Sequence, residues 1–196
     1  MQDTPGKIEN ITFAQGPSSA CPPPRGIQQR SGQIICGDID MRIDINGVWH
    51  YQGSPINRHA LVKLFSSVVR RDADGFYWLI TPAEMARIQV DDAPFLAVEV
   101  DVTNDNGVRC LRFRTNVDKW VPADAEHPIN VIIDPETSEP RPYIQIADDG
   151  TKARIIRSVF YELAELAIET DIKGEKTLCV ESCGATFILG RSTETK

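Results

Sequence analysis

Polar and apolar residues alternate strictly from Asp38 to Asn46 (DIDMRIDIN), with Ile39, Met41, Ile43 and Ile45 on one side and Asp38, Asp40, Arg42 and Asp44 on the other. A period of two marks a half-buried strand. Asn46-Gly47 predicts a two-residue type I′ turn, after which Val48 to Gln52 returns as the second strand of a hairpin. With that loop length Ile43 stands opposite His50 and Arg42 opposite Tyr51, so Trp49 and Tyr51 share the polar face with Arg42. The period then lengthens. After a candidate N-cap at Asn57, the residues Leu61, Leu64, Phe65, Val68 and Val69 recur at helical spacing and predict an amphipathic helix ending near Arg71. Asp74-Gly75 turns the chain into the apolar strand Phe76 to Ile80. Thr81-Pro82-Ala83-Glu84 then holds the residues of a capping box, which predicts a short helix through Ile88.

The stretch Asp91-Asp92-Ala93-Pro94 interrupts both periods and marks a domain boundary. Beyond it, Phe95 to Thr103 and Val108 to Asn116 form a second predicted hairpin around Asp105-Asn106-Gly107, followed by strands at Ile129 to Ile133 and Tyr143 to Ile146. The longest helix is predicted over Thr151 to Glu169, with Ile155, Ile156, Val159, Phe160 and Leu163 on one face; two short strands surround Cys183-Gly184. Both halves therefore run strand pair, helix, strand. The expected fold class is α+β, with two similar small domains at residues 34–92 and 93–196 that suggest a duplication. Residues 1–33 precede them. The part from Gln15 to Gln33 is rich in Pro, Gly, Ser and Gln, and reads as an extended or disordered tail that burial cannot order.

Composition narrows the function classes. The chain of 196 residues, 41% hydrophobic and 25% charged, has the balance of a folded globular protein. It holds no apolar run of the ~18 residues a membrane span needs, and its first residues lack a secretory pattern. Five cysteines at irregular spacing form a poor disulfide framework and point to a reducing cytoplasm. The net charge is −7; residues 34–196 alone carry 18 bases against 26 acids, or −8. That balance disfavours nucleic acid and anionic membrane as partners. A small anion escapes the rule, because a few inward-facing arginines outweigh distant, screened acids.

No phosphate loop, dinucleotide fingerprint, nucleophile elbow or zincin helix occurs. Asp38, Asp40 and Asp44 have the spacing of carboxylates on one strand face, but a solvated face explains them and no metal is expected. Arg42, among Trp49 and Tyr51, could offer its fork to a phosphate or pair with Asp40 or Asp44. Arg58 falls at the edge of the first helix's apolar stripe, near the anion-favouring N-terminus. Arg154, Arg157 and Tyr161 form a row on the second predicted helix with no acid at i+4 to either arginine. Arg109, Arg112 and Arg114 are expected to meet Glu99 and Asp101 across the hairpin. His127, alone before Pro128, reads as structural rather than as a catalytic base. The candidate ligand-binding set is therefore Arg42, Trp49, Tyr51, Arg58, Arg157 and Tyr161, with no catalytic residues assigned.

The run GDIDMRIDINGVWHYQGSPINRHALVKLFSSVVRRDADGFYWLITPAEMARIQVDDAPF, continued by FRTNVD, HPI, RPYIQI, IIRSVFYELAELA and FILG, resembles a bacterial family known as Domain of Unknown Function 1285. The resemblance implies a duplicated two-domain α+β arrangement whose C-terminal domain superficially looks like pleckstrin-homology folds. It also implies a nucleotide-based ligand at the domain interface and a role in signal transduction, under oxidative stress. No catalytic residues carry over. Residues and resemblance together lead to the expectation of a cytoplasmic protein, not an enzyme, that binds a nucleotide-like anion. A protein-interaction module is the alternative, ahead of an unrecognised enzyme.

Overall fold

The computed structural model describes residues 21–105, 107–172 and 174–191, without the side chain of Asp105. The chain divides into two units, Met1–Asp92 and Ala93–Lys196. Among the described residues strand dominates both, with one helix in each.

Unit 1 contains β1 (Ile34–Ile43), β2 (Trp49–Tyr51), β3 (Ser54–Pro55), α1 (His59–Ser67), β4 (Val69–Arg71), β5 (Tyr77–Ile80) and β6 (Glu84–Val90), in a sheet of order β3-β2-β1-β6-β5-β4. Two antiparallel meanders join through the parallel pair β1–β6. Unit 2 repeats this plan. Its strands β7 (Phe95–Asp105), β8 (Val108–Thr115), β9 (Trp120–Pro122), β10 (Ile129–Ile133), β11 (Pro140–Gln145) and β12 (Lys152–Ile155) run in the order β10-β11-β12-β7-β8-β9 around the parallel pair β12–β7. Substituting β7 to β12 for β1 to β6 reproduces the first sheet strand for strand. The helices do not correspond: α1 lies between the two meanders, whereas α2 (Arg157–Glu165) follows both and leads into a separate sheet, β13 (Ile168–Ile172), β14 (Glu175–Ser182) and β15 (Ala185–Arg191).

Four local expectations are corrected. The first hairpin closes with three loop residues. Asp44 N–H donates to Val48 O (3.0 Å), Gly47 N–H donates to Asp44 O (2.9 Å), and of Asn46 and Gly47 only the glycine has positive φ, at 72°. This is a turn with a left-handed third residue instead of a type I′ turn. The pairs become Ile43 with Trp49, Arg42 with His50 and Met41 with Tyr51. A one-residue slip exchanges the faces of β2.

Secondly, the capping-box residues form a strand turn. Thr81 Oγ1 does accept the Glu84 N–H (3.0 Å), but Thr81 N–H donates to Glu84 O (2.9 Å), closing a hairpin between β5 and β6 where a helix was expected. The Thr81 carbonyl accepts from the buried side-chain amide of Gln33. Thirdly, the long second helix divides. Lys152–Ile155 is a strand parallel to β7, and the helix keeps nine residues, with Val159 and Leu163 buried. The first helix likewise stops at Ser67, and Val69–Arg71 pairs with β5.

Finally, part of the expected tail is packed. Residues 1–20 lie outside the described residues. From Cys21 onward the chain is held on unit 1: Cys21 packs with Trp78 and Met85, Ile27 joins them, and Ala73 N–H donates to Arg25 O (2.8 Å). Burial raises the Cys21 thiol above its ordinary pKa. The core beneath β1 and β2 comprises Met41, Ile43, Trp49 and Phe65; Leu111, Phe113, Val121, Ile144, Ile155 and Leu163 serve unit 2.

Candidate functional site

On β1 the polar face is an array of closed ion pairs. Nε and Nη2 of Arg42 donate to both carboxylate oxygens of Asp91, and the same edge of Arg87 donates to both oxygens of Asp38. These bonds hold Asp91 and Asp38 below the usual carboxylate range. Arg42 thus pairs with Asp91 at the end of β6, where Asp40 or Asp44 had been anticipated. Asp44 instead organises its own turn, accepting the N–H groups of Asn46 and Val48 (2.8 and 2.9 Å) and meeting His50 Nε2 at 3.1 Å. Burial pushes the Asp44 pKa up, but those contacts outweigh it and the net shift is downward. Among the described residues, no group of three or more His, Cys, Asp or Glu side chains could hold a metal ion.

Trp49 leaves this face. It is 1% exposed and its ring stacks on Phe65 of α1 at 6.1 Å between centroids, so it belongs to the core. Its indole N–H has no hydrogen-bond partner among the described residues. Tyr51 shares the strand side of Trp49 and remains exposed. Arg58 is the N-cap of α1, a position expected for Asn57. It is exposed, and neither a capping side chain nor an acidic residue satisfies the first turn.

In unit 2, Arg157 is the first residue of α2 and Tyr161 lies one turn on; both are exposed. Arg154, placed in the same row by the helical pattern, sits on β12 opposite Tyr143 and Leu96. Arg157 comes within 3.6 Å of Glu139, with the two side chains 74% and 65% exposed, a loose surface contact. α2 also lacks a capping side chain and an acid in its first turn. The structure therefore groups Arg157 with Tyr161, leaves Arg58 and Tyr51 accessible in unit 1, closes Arg42 with Asp91 and buries Trp49.

Across the second hairpin, Arg114 bridges Glu99 (2.6 Å) and Asp118 (2.9 Å), while Arg112 stacks over Trp120. Arg109 alternates to the opposite side and meets neither acid. His127 has a structural setting: its ring and its N–H both meet Asp124 Oδ1, at 3.0 and 2.8 Å. Burial opposes ionisation of Asp124, yet these bonds hold its pKa below the usual value. One feature escaped the sequence reading. Cys110 on β8 and Cys183, at the β14–β15 turn, form a disulfide with a Cα–Cα distance of 4.6 Å. This bond corrects the reading of the five irregularly spaced cysteines as a poor disulfide framework, since spacing alone does not choose partners.

Family models match most of the described chain. Residues 33–93 match the N-terminal domain of the domain of unknown function DUF1285, and residues 94–189 match the C-terminal domain of the protein of unknown function DUF1285. The chain belongs to the DUF1285 family. A crystal structure of a DUF1285 family protein from Silicibacter pomeroyi DSS-3 is 39% identical, covering 89% of this chain and 90% of that one, with a TM-score of 0.73. A DUF1285 family protein from Shewanella baltica OS155 is 25% identical over 65% of this chain and 91% of that one, with a TM-score of 0.50. No curated protein matches the chain. Among the described residues no helix is long and apolar enough to cross a membrane.

Proposed function

We propose that this DUF1285 protein is a non-catalytic, cytoplasmic binder of a nucleotide-like anion that acts in signal transduction. One observation carries the reading: each unit starts its helix on an exposed arginine, Arg58 as the N-cap of α1 and Arg157 as the first residue of α2. In both helices the first-turn N–H groups have neither a side-chain cap nor an acid. Such a terminus favours a phosphate, and a guanidinium fork beside it adds charge-assisted hydrogen bonds. Tyr161 and Tyr51 offer exposed rings on which a base stacks. Arg42 joins only if Asp91 releases it, and Trp49 acts by supporting α1 through Phe65. The pleckstrin-homology likeness of unit 2 belongs to the same proposal, supported by its antiparallel strands and single helix.

A protein-interaction module is the second reading. Ile132 and Ile133 favour it, being 51% and 56% exposed on the edge strand β10. A thermal-shift panel separates the two. In ligand-stripped protein, nucleoside phosphates raise the unfolding midpoint and the parent nucleosides do not, since a ligand at 100 times its Kd adds about 2.7 kcal/mol. Absence of any nucleotide-dependent rise removes the first reading.

A further inference from the structure

From Ile45 to Arg71 the chain carries no Asp or Glu, and its Lys and Arg residues are Arg58, Lys63, Arg70 and Arg71. From Ser158 to Ile172 the pattern is inverted: Glu162, Glu165, Glu169 and Asp171 occur without a Lys or Arg. Arg58, Lys63 and Arg70 follow α1 from its N-cap to just beyond its C-terminus and are exposed, as are the four acids on α2 and β13. Arg25, Arg42 and Arg87 of unit 1 each hold an aspartate, Asp74, Asp91 and Asp38 respectively. Arg58 has no ion pair among the described residues, and Arg70 donates to the main-chain oxygens of Ser67 and Val69 (3.3 and 2.6 Å). Glu162 and Glu165 likewise have no ion pair among the described residues.

Both helices carry the disfavoured charge at an end. Arg58 sits at the positive N-terminal end of α1, and Glu165 is the last residue of α2, at its negative end. An antiparallel approach of the two helices sets Arg58 beside Glu165 and relieves both. Exposed charge pairs guide association and set its register but add little affinity each, so such a contact needs an apolar anchor. Tyr161 is 58% exposed and lies one turn before Glu165 on the same side of α2, where its ring can cover the stem of a lysine. We propose that α1 of one copy of this chain docks on α2 of a second copy, with Arg58 and Lys63 meeting Glu165 and Glu162 around Tyr161. The contact requires no nucleotide, so its failure is separate from that of anion binding.

The test is sedimentation equilibrium of the full chain, oxidised and ligand-stripped. At low salt the weight-average mass of the parent rises with concentration above that of one chain. In about 1 M sodium chloride, where screening acts beyond ~3 Å, it stays at one chain. Lys63→Glu and Glu165→Lys, both on exposed side chains, each weaken association at least tenfold while keeping the parent's unfolding midpoint. An equimolar mixture of the two variants associates again, because each then offers the charge that the other needs; a fault within one chain is not repaired by mixing. A parent that is monomeric at every concentration overturns the proposal, as does association that survives high salt or both substitutions, or a mixture that stays monomeric. A monomeric parent that binds added oligoglutamate assigns α1 to a foreign acidic chain and equally overturns the second copy as its partner.

Discussion

Trp49 contributes more to unit 1 than the charged residues beside it, because its ring is 1% exposed and stacked on Phe65, whereas the neighbouring ion pairs are open to water. Removing the ring leaves a cavity that the sheet and α1 cannot both close. Trp49→Ala is expected to lower stability by about 3–5 kcal/mol, measured by denaturant unfolding, and Trp49→Phe by much less because it keeps the stack. Acid sensitivity arises from another set of residues. Asp38, Asp44, Asp91 and Asp124 all have folded-state pKa values below the ordinary range. Each binds a proton more readily when unfolded, so its contribution is complete above the ordinary carboxylate range, roughly pH 4. It disappears as the pH falls through the lower folded-state values. Unfolding midpoints measured from pH 6 to pH 2 should be flat at first and then fall; a midpoint that rises on acidification contradicts these assignments.

At the scale of elements, loop length decided what the residue pattern left open. The alternation from Asp38 to Asp44 identified β1 and its inward residues Met41 and Ile43. The pair Asn46-Gly47 suits either a two-residue turn or the last two positions of a three-residue loop. The carboxylate of Asp44, accepting two N–H groups, favours the longer loop and turns Trp49 inward. Gly47 provides the left-handed position, and Gly47→Ala should cost roughly 1 kcal/mol in thermal or urea unfolding. Thr81-Pro82-Ala83-Glu84 shows the same ambiguity, since one hydroxyl-to-N–H bond serves a helix start or a strand turn. Tertiary pairing with Gln33 and β1 selected the turn. The β12–α2 segment was read as one helix because Ile155 and Ile156 extend the helical period, and its pairing with β7 cannot be read from local spacing. Arg58 was legible as a candidate from its place near the N-terminus of the first helix, and Arg157 from the lack of an acid at i+4, whereas the closure of Arg42 by Asp91 needed a parallel partner strand distant in sequence.

For the whole molecule, the repeated six-strand order is the firmest sign of duplication, and it lies in topology rather than in residue identity. The disulfide falls within unit 2, joining residues 73 apart. On the chain-entropy model such a loop contributes about 4.4 kcal/mol. Reduction should lower the stability of unit 2 and speed hydrogen exchange in β8, β14 and β15, while β1 and β6 keep their protection; equal loss in both units would contradict this. The acidic charge of residues 34–196 is consistent with a small ligand taken by local arginines rather than with a polyanion. The most direct test of that central claim is an equilibrium titration of ligand-stripped protein with the nucleotide that stabilises it best, run beside Arg58→Ala and Arg157→Ala. The account predicts saturable binding by the parent and at least tenfold weaker binding by at least one of the two variants. Binding that is unchanged in both variants, or absent for every nucleotide in the parent, would contradict it.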